Sequence, residues 1–234
     1  MTPAEYHALA RQIRPAFQAK MRKEQLAESL EDSLCRAYLP LAHWVRRQKQ
    51  PGKALVLGVN GAQGSGKSTL CGFLKLILRE AYGYNVAGIS LDDLYKTRAE
   101  RQRMAREIHP LFATRGVPGT HDVELGLRLI TALVRPDGGQ IAIPAFDKAE
   151  DDRRPQHEWP LFQGPADVVV FEGWCVGTRP QADNALSQPV NELERREDWS
   201  GIWRRHVNRQ LEGPYAKLFA LLDRLVFLQV PDMD

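Results

Sequence analysis

The sequence predicts an α/β protein, a mainly parallel sheet between two layers of helices, preceded by an N-terminal helical segment. Two observations predict this class. Short apolar runs within 54–59, 167–171 and 224–230 have the length and branched side chains of strands buried on both faces. Between them lie longer stretches with apolar residues three and four positions apart, the period of a helix that buries one stripe. Alternation of the two patterns is the signature of a parallel sheet with crossover helices.

In chain order, residues 1–50 carry Phe17, Met21, Leu26, Leu30, Leu34, Tyr38 and Leu41 at helical steps. They predict two or three helices punctuated at Pro15 and Pro40. Pro51-Gly52 breaks this segment, and a core domain spanning 51–234 is expected to begin with the strand at Ala54–Val59. A glycine-rich turn follows. Then Lys67–Glu80 sets Leu70, Phe73, Leu74, Ile77 and Leu78 on one helix face, with Gly83 as its stop. Asn85–Ser90 predicts a second strand, Arg98–Ile108 a basic helix, and Asp122 the cap of a helix reaching about Val134. After the Pro136–Gly139 turn come a short strand at Gln140–Ile143 and buried strands at 167–171 and 224–230.

Composition narrows the function classes. The 234 residues are 43% apolar and 26% charged, which suits one soluble domain. The net charge is +3, with ten basic and five acidic residues in 1–53 and a remainder at −2, too weak an imbalance to expect a nucleic-acid partner. Three widely spaced cysteines without a CxxC pair suggest neither a disulfide framework nor a zinc ribbon, so a reducing, cytoplasmic setting is expected. No apolar leader core opens the chain, and Asp223 and Arg224 interrupt the greasy stretch Leu218–Val230, so no membrane association is expected. Oligomeric state is not legible.

The glycine-rich turn carries the chemistry. Gly61-Ala62-Gln63-Gly64-Ser65-Gly66-Lys67-Ser68 satisfies the Walker A pattern GxxxxGK[ST] between an apolar strand and an amphipathic helix, the context that the pattern requires. This makes the predicted architecture a P-loop NTPase three-layer α/β/α fold. Backbone N–H groups of residues 61–69, through Thr69, are expected to wrap the phosphates of ATP. Lys67 is expected to reach the β- and γ-oxygens, and the Ser68 hydroxyl to ligate Mg²⁺. Two further strands end in carboxylates: VVVF leads into Glu172, a candidate Mg²⁺ ligand, and Ser90 leads into Asp92-Asp93, which offer a base for an attacking hydroxyl.

The co-ordered motifs GAQGSGKSTL, SLDDLY and EGW resemble the phosphoribulokinase, uridine kinase and pantothenate kinase group of P-loop kinases. HPLFATRGVPGTHD, PAFDKAEDDR, FEGWCVG and PVNELE are similar to the D-glycerate 3-kinase family in particular. The resemblance implies transfer of the ATP γ-phosphoryl group to a hydroxyl of a small acid, most directly D-glycerate. It assigns Asp92 as the base, with Lys67 and Glu172 completing the catalytic set. Another acceptor such as pantothenate, a nucleoside or a sugar is the alternative within the class, and a non-catalytic ATP-binding regulatory protein is the alternative outside it. A hydroxy-acid substrate needs a cation for its carboxylate. Asp147, Lys148 and Arg153 in one loop are the first candidates for substrate binding, and Arg115 with His121 the second. Kinases of this group continue past the strand matching Leu225–Val230 into a lid and a last strand, so both are expected to be missing from 51–234.

Overall fold

The computed structural model describes residues 2–230. The elements in order are α1 (Pro3–Lys23), α2 (Leu39–Gln48), β1 (Leu55–Gly61), α3 (Lys67–Tyr82), β2 (Val86–Ser90), α4 (Arg98–Glu107) and α5 (Val123–Val134). After them come β3 (Gln140–Ala142), β4 (Phe146–Asp147), β5 (Asp152–Arg153), β6 (Leu161–Gln163), β7 (Val168–Gly173), α6 (Glu192–Glu197), α7 (Ile202–Gln210), α8 (Ala216–Phe219) and β8 (Arg224–Leu228).

The central sheet has the order β2-β7-β1-β8 and every pairing in it is parallel. Two small antiparallel ribbons, β3 with β6 and β4 with β5, stand outside it. The apolar runs read as strands because successive side chains serve opposite faces. Leu55, Leu57, Val59, Val168 and Val170 pack on one side with α1, α2 and α3. Val56, Ala87, Ile89, Val169 and Phe171 pack on the other with α5 and the 211–218 turns. The predicted three-layer arrangement is the one observed, but the run at 224–230, expected to be buried, forms the edge strand β8 with Leu225 and Phe227 exposed, because it has a sheet neighbour on one side only.

The N-terminal helices are part of the first of these cores. Phe17 of α1 and Phe73 of α3 stand with ring centroids 4.2 Å apart, and Tyr38 is 5.3 Å from each. Burying one such phenyl ring stabilises the fold by about 1.5–3 kcal/mol. This packing corrects the expected punctuation at Pro15. Helix α1 runs through Pro15, because Ala10, Ile13, Phe17 and Met21 form a continuous buried stripe while Pro15 itself is exposed. A proline on the wet side leaves its unpaired carbonyl partner to water, so the stripe prevails. Pro40 likewise does not break the chain: it sits in the first turn of α2, where an N–H is not needed, directly after a π-helical turn at Leu34–Tyr38. Among the described residues, no helix is long and apolar enough to cross a membrane.

Candidate active site

The phosphate loop joins β1 to α3. Gly66 and Gly64 both adopt φ of 80°, a left-handed conformation that side chains disfavour. Gly61 is needed for a different reason: a Cβ there would lie 2.7 Å from Ser65 Oγ and 3.0 Å from Leu228 Cβ. No side chain caps α3, so its first N–H groups remain available to an anion at the positive end of a 16-residue helix. Lys67 Nζ donates to the Ala62 carbonyl at 3.0 Å, which holds the ammonium over the loop.

Sheet order brings the carboxylates to this loop. Strand β7 lies between β1 and β2, with Glu172 opposite both Val59 and Ser90. Ser68 Oγ donates to Glu172 Oε2 at 3.1 Å, joining residues 104 positions apart. Asp92 and Asp93 follow β2 in a tight turn that separates their roles. Asp92 lines the cleft and accepts from Lys148 Nζ at 2.9 Å. Asp93 turns inward and accepts from the Phe146 N–H at 3.1 Å. Burial pushes the Asp93 carboxyl above the usual range, against the opposing effect of that hydrogen bond.

The resulting cleft has a volume of about 610 Å³, lined by Gln63, Lys67, Ser68, Asp92, Arg115, Lys148, Glu172 and Trp174 among others. An open depression of about 690 Å³ lined by Glu5, His43, Arg46 and Tyr82 shares none of these residues and lacks paired carboxylates, so chemistry rather than size identifies the site. Of the loop residues, Ala62, Gln63, Gly64, Lys67 and Ser68 face the cleft, whereas Ser65, Gly66 and Thr69 face the other side of the loop. Among the described residues, no cluster of three or more His, Cys, Asp or Glu could hold a metal. The Ser68–Glu172 oxygen pair fits Mg²⁺ nonetheless, because that ion takes hard oxygen ligands and keeps water and phosphate for its remaining positions. Burial pushes the Cys71 thiol beside Glu172 far up and Cys175 up to about 12, so neither supplies a thiolate nucleophile.

The structure divides the five expected acceptor ligands. Lys148 and Arg115 reach the cleft, one from each of the two candidate segments. Asp147, Arg153 and His121 do not line it. The Asp147 carboxylate accepts from the Ala149 and Glu150 N–H groups and pairs with Arg154 at 3.0 Å, ordering the turn that carries Lys148. Arg153 is held by Asp122 at 3.1 Å and by the Tyr95 carbonyl at 3.2 Å. His121 is 1% exposed, stacks on Tyr95 at 4.4 Å and sits 2.6 Å from the Tyr215 hydroxyl. These three are drawn into the wall because each finds protein partners there, which a residue-by-residue reading does not foresee.

Sequence reasoning missed Arg101. It lies in the basic helix among other arginines, yet it is fully buried. Its guanidinium binds the Lys96, Ala113 and Asp151 carbonyls and pairs with the Asp151 carboxylate at 2.9 Å. Arg115 binds the same carboxylate, and Asp151 adopts φ of 53° between them. Arg101 therefore ties α4, the segment bearing Arg115 and the turn bearing Lys148 into one wall of the cleft. No local signal distinguishes it from Arg98 or Arg103.

No family model matches the chain. It is 34% identical over 198 residues to an uncharacterized kinase of Schizosaccharomyces pombe, covering 80% of this chain and 70% of that protein. It is 30% identical over 187 residues to the chloroplastic D-glycerate 3-kinase of Arabidopsis thaliana, covering 76% of this chain but only 38% of the plant enzyme. The solved structure of D-glycerate 3-kinase from Cryptococcus neoformans superimposes with a TM-score of 0.67 at 30% identity, over 84% of this chain and 71% of that one.

Proposed function

This chain belongs to the D-glycerate 3-kinase family of P-loop kinases, and we propose that it transfers the γ-phosphoryl group of ATP to a hydroxyl of D-glycerate. The observation that carries this reading is the convergence of Lys67, Ser68, Glu172 and Asp92 in one cleft whose opposite wall presents Lys148 and Arg115. The loop amides and Lys67 bind the β- and γ-phosphates. Ser68 and Glu172 would hold Mg²⁺, which would supply charge neutralisation for the phosphates. Asp92 accepts the proton of the acceptor hydroxyl as its oxygen bonds to the γ-phosphorus and the bond to the β-phosphate oxygen breaks, releasing ADP. Positioning and charge neutralisation supply most of the rate.

Two cations facing the base favour an anionic acceptor over a nucleoside or an uncharged sugar. Arg115 binds a carboxylate in the plane of its guanidinium, and Lys148 is a mobile point charge. The Lys148–Asp92 pair is half exposed at 64% and 35%. Such a pair contributes about 1 kcal/mol at most, so Lys148 can exchange Asp92 for the substrate at little cost. A cytoplasmic setting suits the three free thiols.

The test is ADP formation from Mg-ATP with D-glycerate, L-glycerate, pantothenate, uridine and ribulose 5-phosphate side by side. D-Glycerate is expected to stimulate turnover selectively, and Lys67→Ala to lower it at least about a hundredfold with an unchanged circular dichroism spectrum. Turnover with another acceptor alone overturns the substrate, and normal turnover by the lysine variant overturns the site.

A further inference from the structure

A second cavity lies on the other side of the phosphate loop from the acceptor cleft. Its volume is about 490 Å³, and one side of it is made by Ser65, Gly66, Thr69 and Leu228. The other side comes from the N-terminal segment, between Leu26 and Tyr38. The two cavities share no lining residue, yet they rest on interleaved positions of the same loop. A triphosphate lying along that loop with its γ end beside Lys67 and Glu172 must leave the loop on the far side.

The two spaces differ in chemistry. The acceptor cleft is lined by the acidic and basic side chains of Lys67, Asp92, Arg115, Lys148 and Glu172. Among the described residues, the second cavity is lined by no ionisable acid or base apart from the Tyr38 phenol. The rest of its surface is leucine, alanine and glycine, interrupted by the hydroxyl-bearing Ser29, Ser33, Ser65 and Thr69. Apolar faces with a few hydroxyls match an uncharged ring and sugar, and the volume lies in the range of small-ligand pockets, about 300–1,000 Å³. The N-terminal wall is firmly placed, since Leu34 is fully buried and the Tyr38 ring stands 5.3 Å from both Phe17 and Phe73.

We propose that this cavity receives the nucleoside half of ATP and that the segment from Leu26 to Tyr38 is its outer wall. The proposal rests on the reading of the loop as an ATP phosphate site and extends it to residues that the phosphate motif does not include. The N-terminal segment is then a substrate-binding element as well as a cover for the sheet.

Ala27 and Ala37 are exposed residues on this wall, so a larger side chain at either fills the cavity without entering the core. Binding of Mg-ATP and of magnesium tripolyphosphate, which has the phosphates but no nucleoside, is measured by calorimetry for the unaltered protein, Ala27→Trp, Ala37→Trp and Lys67→Ala. At least one tryptophan variant is expected to weaken Mg-ATP about tenfold or more while holding tripolyphosphate within about twofold. Unchanged Mg-ATP binding in both tryptophan variants overturns the proposal, and so does a parallel loss of both ligands. Lys67→Ala is expected to weaken both ligands. If it weakens neither, the phosphate-site reading itself fails, a result separable from the behaviour of the tryptophan variants.

Discussion

Acidification is expected to unfold this protein in part through His121. Its ring is 1% exposed, its Nδ1 lies 2.6 Å from the Tyr215 hydroxyl, and its Nε2 is buried without a partner among the described residues. A second ring proton would bury a charge and an N–H with no acceptor, and burial accordingly holds the pKa down to about 3 from 6.5. Because the folded value lies below the unfolded one, the stabilisation is complete above the unfolded pKa and is lost as pH falls toward the folded one. Between the two, the unfolded chain binds one more proton, which costs about 1.4 kcal/mol per pH unit. Two units therefore remove about 3 kcal/mol, a large share of a typical stability of about 5–15 kcal/mol. Burial also lowers His43 and His206, which act in the same direction, while the raised Asp93 acts in the opposite one. Comparison with His121→Phe isolates the single residue, because a phenyl ring keeps the stacking on Tyr95 and removes the titration. Urea unfolding at intervals from about pH 7.5 to about pH 4.5 is the assay. The variant is expected to be less stable at the upper end but to lose stability with acid by about 1 kcal/mol per unit less than the wild type. Equal slopes would refute the reasoning, as would a wild-type His121 resonance that titrates near the ordinary histidine value.

Two further outcomes test the site. Asp92→Asn is expected to reduce turnover about a hundredfold or more with Mg-ATP affinity nearly intact, since a base serves the chemistry more than the binding; the same pattern in Asp93→Asn alone would transfer the role to the neighbour. Gly61→Ala places a methyl 2.7 Å from Ser65 Oγ and 3.3 Å from the Leu228 carbonyl oxygen. The loop must shift, so urea unfolding should show about 1–3 kcal/mol of lost stability, with weakened Mg-ATP binding measured alongside.

Residues whose role is local were legible before the fold was known. The run at β1, the glycines after it and the stripe on α3 lie within thirty residues of one another. Each obeys a short-range rule of strand burial, left-handed backbone or helical period. Asp122 was legible as a helix cap for the same reason, and its carboxylate does accept from the Leu125 N–H at 3.0 Å. Pro15 was misread because a proline's effect depends on whether its side of the helix is wet. Arg101 was unreadable because its burial is decided by three carbonyls, one of them fifty residues away.

The sequence by itself determined the alternation of strands and helices, the phosphate loop and the acidic ends of β2 and β7. Only the tertiary structure decided what those ends meet. The order β2-β7-β1-β8 sets Glu172 against Ser68, Lys148 reaches Asp92, and Asp151, itself held by Arg101, pairs with Arg115 at the same cleft, while Arg153 and His121 are kept in the wall. The physical reason is range. Backbone geometry and periodicity act over a few residues and can be read along the chain, whereas a charged side chain goes to whichever partners and solvent the folded chain leaves within its reach.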